Sequence, residues 1–369
     1  MKKINDNIAK ILKHIIFSLF CLAVIFLFLE LGLRLCEKFK RNVREYCLES
    51  EKAGLDIEDN KLFWKMKPNI DIVWQGVNIK TNSLGLRDYE ISPIKEQKVF
   101  RMLSLGESTT FGAKVEFENI YSEVLENKLN KDNSDYIFEV INAGVSAYTS
   151  FQSLIYLKEQ GLKLNPDMIL IYHQANDNLP ATIRKNKNAF DFSLSDRQLY
   201  NLRNNFSGIL YQLNKSFVYG AMKNYLLKIR MCFLKNSATT LRKSLPDLTI
   251  VDIKRKCRVP LDDRKEIFKE FLEISEKNKI TLVLIHPIYK KSLGQKCFLT
   301  EFAEQNNVPL IETFEAFKQS GYSPEELFYD SMHPTATGHK IIADCIFKYI
   351  KAYTHQLLHE KVAEKDDKN

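Results

Sequence analysis

A serine in a glycine-flanked turn, and a histidine preceded three residues earlier by an aspartate, are the groups whose types and spacing could carry covalent chemistry. The serine is Ser108, in Leu103-Ser104-Leu105-Gly106-Glu107-Ser108-Thr109-Thr110-Phe111-Gly112. The pair is Asp330 and His333, in Tyr329-Asp330-Ser331-Met332-His333-Pro334. In one helical or turn-like step, a carboxylate at that spacing can hold an imidazole in the orientation that takes a hydroxyl proton. Ser108 would then be a nucleophile, His333 its base and Asp330 the group that orients the base. Taken alone, a serine in a turn is most often a helix cap. Pro334 disfavours a smooth helix through His333 and favours a loop there. His339 is the local rival, but no acid precedes it by three residues. Gly338 and the Ile341-Ile342 run place it at the surface, early in a last helix.

Acyl chemistry also needs donors for a developing oxyanion. Gly144, in Val140-Ile141-Asn142-Ala143-Gly144-Val145-Ser146-Ala147-Tyr148, would let a backbone N–H approach a substrate closely. Asn176, in Tyr172-His173-Gln174-Ala175-Asn176-Asp177-Asn178, could donate from its side-chain amide. The bland alternatives are a turn glycine and a capping asparagine.

The elements that must position these residues follow from hydrophobic patterning. Short apolar runs at Val99 to Leu105, Phe138 to Ile141, Met168 to Tyr172, Ile280 to Ile285 and Val308 to Ile311 read as strands. Helical periods fit Ser122 to Leu129, Ser150 to Gln160, Arg264 to Lys277 and Thr337 to Tyr353. Such alternation implies a parallel sheet covered by helices on both faces, with Ser108 at the carboxyl end of its first strand. Residues 34 to 60 read as a charged juxtamembrane helix or stalk, and the stretch through Pro68, Val73-Trp74 and Asn82 to Arg87 as irregular.

Ile15 to Leu29 carries no charge, and the apolar run continues past Glu30 to Leu33. At about 1.5 Å per residue this nearly crosses a hydrocarbon core of roughly 30 Å. Lys2, Lys3, Lys10 and Lys13 precede it, and no small-residue cleavage site follows, which favours one uncleaved transmembrane anchor over a signal peptide. Arg34, Lys38, Lys40, Arg41 and Arg44 balance the charge across the segment, so charge alone leaves the orientation open.

The seven cysteines form neither CxxC pairs nor an even framework, and a single bridge such as Cys257 with Cys297 stays open. Residues 184 to 258 hold sixteen Lys or Arg against four Asp, more net positive charge than the +8 of the whole chain. Tyr219 to Phe233 within them could form a basic amphipathic helix. The excursion reads as a solvated helical insert, a contact for anionic lipid, or a site for an acidic polymer. No spaced His and carboxylate set such as HExxH appears, so neither metal nor cofactor is expected, and nucleic acid is not an expected partner.

Together the four segments resemble the ordered blocks of the SGNH (GDSL-like) hydrolase superfamily. Glu107-Ser108 is similar to its GDS block, Gly144 to its glycine block, Asn176-Asp177 to GxND and Asp330 to His333 to DxxH, across about 98 to 353. The anchor and the Thr81 to Arg87 segment resemble a branch tethered at bacterial envelopes. This resemblance implies a flavodoxin-like three-layer α/β/α domain with a central parallel sheet, behind one N-terminal transmembrane helix. It divides the chain into a stub and anchor (1–36), a pre-domain segment (37–97), a catalytic domain (98–353) and a charged tail (354–369). It further implies an extracytoplasmic serine esterase or deacetylase with Ser108, Asp330 and His333 as triad. The oxyanion donors would be the N–H groups of Ser108 and Gly144 and the Asn176 amide. The substrate would be an acylated small molecule or envelope polysaccharide; with a sugar hydroxyl as acceptor the same machinery gives an O-acetyltransferase. A non-catalytic glycan- or lipid-surface-binding protein is the other class. The chain departs from the pattern at Glu107 for aspartate, Ala147 for a second glycine and Gln174 for glycine, which leaves the pocket's shape open.

Overall fold

The computed structural model describes residues 13–31, 53–132, 136–181, 195–205, 257–290 and 297–366. Most of the basic excursion, its Tyr219 to Phe233 segment and the positive flank from Arg34 to Arg44 lie outside them.

Helix α1, Lys13–Leu31, has a mean hydropathy of 2.5 and none of its span is buried; it is long and apolar enough to cross a membrane. Two antiparallel hairpins follow: β1 (Asp56–Asp59) with β2 (Phe63–Met66), and β3 (Asp71–Trp74) with β4 (Val77–Lys80). They correct the expectation of a stalk running to residue 60 and of irregular structure beyond it. Gln75 and Gly76 both take positive φ, 51° and 83°. That is the two-residue turn whose twist suits a hairpin.

The main sheet holds β5 (Val99–Gly106), β6 (Ile137–Gly144), β7 (Met168–Tyr172), β8 (Thr281–Ile285) and β9 (Leu310–Ile311). All neighbours are parallel, in the order β6-β5-β7-β8-β9. This is the flavodoxin-like order, and its direction of winding reverses between β5 and β7, where a crevice opens at the carboxyl ends of the strands. The connecting helices are α2 (Ser108–Phe111), α3 (Tyr121–Asp132), α4 (Ser150–Glu159), α5 (Ala175–Asn178), α6 (Asp196–Asn205), α7 (Leu261–Asn278), α8 (Phe298–Asn306), α9 (Phe314–Gln319), α10 (Pro324–Leu327) and α11 (Ala336–Asp366).

Successive side chains of a strand point to opposite faces, so the sheet feeds two cores. Leu103, Leu105, Ile169 and Ile171 enter one, with Leu154 of α4, Phe268 of α7 and Phe302 of α8. Met102, Met168, Leu170 and Tyr172 enter the other, with Leu125 of α3 and Ile346 of α11. The result is the expected three layers. Full burial of a phenylalanine such as Phe268 contributes about 1.5–3 kcal/mol. Trp64, Met66, Trp74 and Ile79 of the hairpins are buried in the first core as well, so the hairpins and the sheet share one interior.

Candidate active site

Ser108 opens α2 immediately beyond β5, and the helix can lie across the ends of β5 and β6 because both strands finish in glycine. A Cβ on Gly106 would stand 1.9 Å from Thr110 Oγ1, and one on Gly144 would stand 2.3 Å from the Phe111 backbone nitrogen. Gly112, at φ 79°, ends the helix. Beyond it the buried Arg87 donates to the carbonyls of Gly112 (2.6 Å) and Val115 (2.7 Å) and fastens the chain that follows the serine.

From the far end of the chain, the loop between α10 and α11 reaches the same corner. Phe328 and Pro334 pair across it, and Lys290 donates its N–H to Ser331 O at 3.1 Å. The loop brings His333 Nε2 to 2.8 Å from Ser108 Oγ, while His333 Nδ1 lies 2.8 Å from Asp330 Oδ2. Asp330 Oδ1 also accepts the N–H groups of Met332 and His333, each at 2.9 Å. With Nδ1–H donated to the carboxylate, Nε2 is left as an acceptor for the serine hydroxyl. Ser108, Asp330 and His333 therefore stand in one hydrogen-bonded chain.

The carboxylate has a further partner with no counterpart in the sequence reading: Lys114 Nζ lies 2.7 Å from Asp330 Oδ2. Burial alone would raise the Asp330 carboxyl. The hydrogen bonds from His333 and Lys114 and from the two backbone N–H groups outweigh it and hold the group well below the usual carboxylate range.

Glu107 points away from the hydroxyl and into the protein. Its carboxylate accepts the Asn176 N–H at 3.0 Å and the Tyr289 hydroxyl at 2.9 Å. Burial pushes it up to about 7, against those hydrogen bonds. It thereby ties the turn after β7, which carries Asn176, to the turn after β5, which carries Ser108. The Asn176 side chain donates from Nδ2 to Tyr148 O at 2.9 Å, which engages one of its two amide hydrogens.

Two expectations need correction, and the bridge left open between Cys257 and Cys297 is not formed. Gly144 does not present its N–H to the crevice, because that group donates to Asn142 Oδ1 at 3.0 Å; glycine is required there by the approach of α2. His339 is not at the surface but 0% exposed, with its ring 5.9 Å from Tyr121 in a stack and Nδ1 accepting the Tyr121 N–H. Burial pushes it down to about 3, so it is a neutral core histidine. Cys257 and Cys297 are both free thiols.

Past Gly144 the turn continues through Ala147, whose φ of 65° lies in the left-handed region. Among the described residues, the N–H groups of Ser146 and Ala147 have no protein acceptor, whereas Val145 N–H bonds Gly106 O at 3.2 Å. The sequence signal for this turn was that Ala147 stands where the family pattern has a second glycine; its conformation is set by contacts far along the chain. Among the described residues no group of three or more His, Cys, Asp or Glu could hold a metal ion.

The family model for GDSL-like lipase/acylhydrolase matches residues 102–346. No curated protein matches the chain. Among solved structures, an α/β hydrolase enzyme from the metagenome of Lake Arreo, Spain, is 13% identical with a TM-score of 0.41 and is aligned over 69% of this chain and 96% of its own. An acetylxylan esterase from Geobacillus stearothermophilus is 15% identical with a TM-score of 0.41, over 68% of this chain and 93% of its own. A two-domain esterase active on acetylated mannans is 15% identical with a TM-score of 0.41, over 69% of this chain and 49% of its own.

Proposed function

We propose that this chain, which belongs to the GDSL-like lipase/acylhydrolase family and is an ester-hydrolysing enzyme, cleaves its ester through an acyl-enzyme on Ser108. The observation that carries this reading is the unbroken path from Ser108 Oγ to His333 Nε2 at 2.8 Å and from His333 Nδ1 to Asp330. His333 takes the hydroxyl proton as Oγ attacks the ester carbonyl, and Asp330 stabilises the imidazolium that forms. The imidazolium then protonates the departing alcohol. Water, deprotonated by His333 in its turn, attacks the acyl-serine and releases the carboxylic acid.

The oxyanion faces the N–H of Ser108, at the start of α2, and the free hydrogen of the Asn176 amide. In this reading the Ala147 N–H takes the place expected for that of Gly144. Each such donor is worth about 3 kcal/mol of barrier when pre-aimed. The substrate we propose is an acylated glycan of the cell envelope. Support for that location comes from α1, an apolar helix of membrane-spanning length directly ahead of the domain. The domain would then sit outside the cytoplasm on an uncleaved anchor.

A fluorophosphonate probe, read by mass spectrometry, tests the nucleophile. The expected result is one adduct, on the peptide that contains Ser108, with esterase activity lost in step. Labelling of another serine with activity lost in parallel would reject the assignment. A screen of acetylated glycans against simple aryl esters tests the substrate class; aryl-ester turnover with no acetate released from any glycan would count against it.

A further inference from the structure

Three successive carbonyls of the turn that leaves β6 are each held by a side chain from a different part of the chain. Trp64, on β2, donates Nε1–H to Ser146 O at 3.3 Å. Arg258 donates Nη1–H to Ala147 O at 2.7 Å. Asn176 donates to Tyr148 O at 2.9 Å, and the Tyr148 hydroxyl returns a bond to Trp64 O at 2.7 Å. With its carbonyls turned inward to these donors, the turn leaves the Ser146 and Ala147 N–H groups without an acceptor among the described residues. Ala147 keeps its φ of 65° without being glycine. A residue with a Cβ rarely adopts that conformation, and it persists where the surroundings impose it.

Arg258 is the centre of those surroundings. Its guanidinium is 1% exposed and lies 5.6 Å from the Trp64 ring. Nη2 donates to Asp196 Oδ2 at 2.9 Å and to Gln152 Oε1 at 2.8 Å. Asp196 is 0% exposed and accepts from the Thr149 hydroxyl, which heads α4 just beyond the turn. The backbones pair too, with Asp196 N–H on Arg258 O at 2.8 Å. A buried ion pair contributes little net stability, because desolvation offsets its attraction, but it fixes geometry. Here it joins two residues near the ends of the basic excursion, and its free guanidinium edge rests on the Ala147 carbonyl.

We propose that Arg258, locked by Asp196, and Trp64 are positioning residues for ester hydrolysis, holding the Ser146–Ala147 turn so that the Ala147 N–H meets the developing oxyanion. The inference rests on the reading of Ser108 as nucleophile. The place of the turn supports it: Val145 N–H is bonded to Gly106 O, two residues before Ser108. Trp64 lies ahead of the matched residues 102–346, so the first hairpin would complete the active site as well as filling the core.

The test compares Arg258→Lys and Trp64→Phe with wild type on a soluble aryl ester and on a boronic acid that forms a tetrahedral adduct with the serine. Arg258→Lys keeps a charge for Asp196 but cannot span all three acceptors. Trp64→Phe keeps an aromatic ring against Tyr148 and Arg258 while removing the Nε1 donor and part of the indole, which leaves a second variant if the first fails to fold. The expected result is a fall in kcat of about a hundredfold for Arg258→Lys and about tenfold for Trp64→Phe. KM should stay within about twofold, with boronate affinity falling alongside kcat. A purely structural role would lower the melting temperature without separating boronate affinity from KM. Folded variants that keep wild-type kcat, or lose activity with boronate affinity intact, overturn the proposal. Should Ser108→Ala remain active, the nucleophile assignment fails first; should Ser108→Ala be inactive while both variants are unaffected, only the present inference fails.

Discussion

Whether Ser108 is a helix-capping serine or a nucleophile turns on which group accepts its proton, and His333 Nε2 stands 2.8 Å away to do so. A proton path acts as a unit, so its losses should not add. Ser108→Ala and His333→Ala should each lower ester turnover on the order of 10⁴-fold or more, and the double variant should be little worse. Asp330→Ala should be milder, while His339→Ala, in the core, should cost stability and leave kcat of the folded fraction nearly unchanged. A dead but folded His339→Ala beside an active His333→Ala would reverse the assignment. The Asp330 and His333 pair was legible in the sequence because its spacing is local. Lys114, Tyr289 and Arg258 were not: they meet the site across 216, 182 and 111 residues, and no spacing rule reaches that far. Glu107 was visible only as a departure, and its burial gives it a measurable signature. Its carboxyl is raised from the ordinary 4.5 to about 7, so the folded chain binds the proton more tightly than the unfolded chain. Its contribution therefore favours folding below about pH 4.5 and is lost as pH rises to about 7. Glu107→Gln, uncharged throughout, should gain stability relative to wild type by roughly 3 kcal/mol across that window and hold the gain above it. Urea midpoints of the two proteins at four pH values measure it, and a constant gap would show that Glu107 does not titrate there.

Among the elements, the strands of the main sheet were legible because both faces are covered. Their continuous apolar runs, such as Met168 to Tyr172, are buried at every position. The two hairpins were not, because four-residue strands, such as Asp71–Trp74 with its exposed Val73, give no long periodic signal. The cue that existed was the Gln75-Gly76 pair between alternating runs. The glycine that ends β6 was legible as important but for the wrong reason. Gly144 admits α2, and the atom a Cβ would strike, Phe111 N at 2.3 Å, belongs to backbone and cannot rotate aside. Gly144→Ala should therefore cost about 1–3 kcal/mol of stability and displace Ser108 from His333, lowering kcat together with the urea midpoint. Unchanged stability would mean that α2 is free to shift, and the close approach of helix and strand would lose its explanation.

For the molecule as a whole, the extent of the matched family region and the extent of the core differ. The match begins at residue 102, yet Leu55, Trp64, Met66 and Trp74 are buried in the same core as Leu103 and Leu105. Leu86 joins them there, and Arg87 is almost wholly enclosed. Helix α1 is the opposite case: Phe17, Phe20, Leu27 and Phe28 are each more than three-fifths exposed, and the helix contributes nothing to that core. A chain beginning at residue 53 should consequently be soluble, fold cooperatively and hydrolyse a soluble aryl ester with the kcat of the full-length protein. The full-length chain itself should resist extraction from membranes by alkali. Starting at residue 98 removes both hairpins, uncovers one side of the first core and takes away the Trp64 contact to Ser146. At roughly 25 cal/mol per Å² of apolar surface returned to water, losing several large side chains exceeds the 5–15 kcal/mol by which domains are stable. The shorter chain should thus be aggregated or unfolded by circular dichroism. A soluble, fully active protein starting at residue 98 would show instead that the hairpins are an attachment with no part in the catalytic unit.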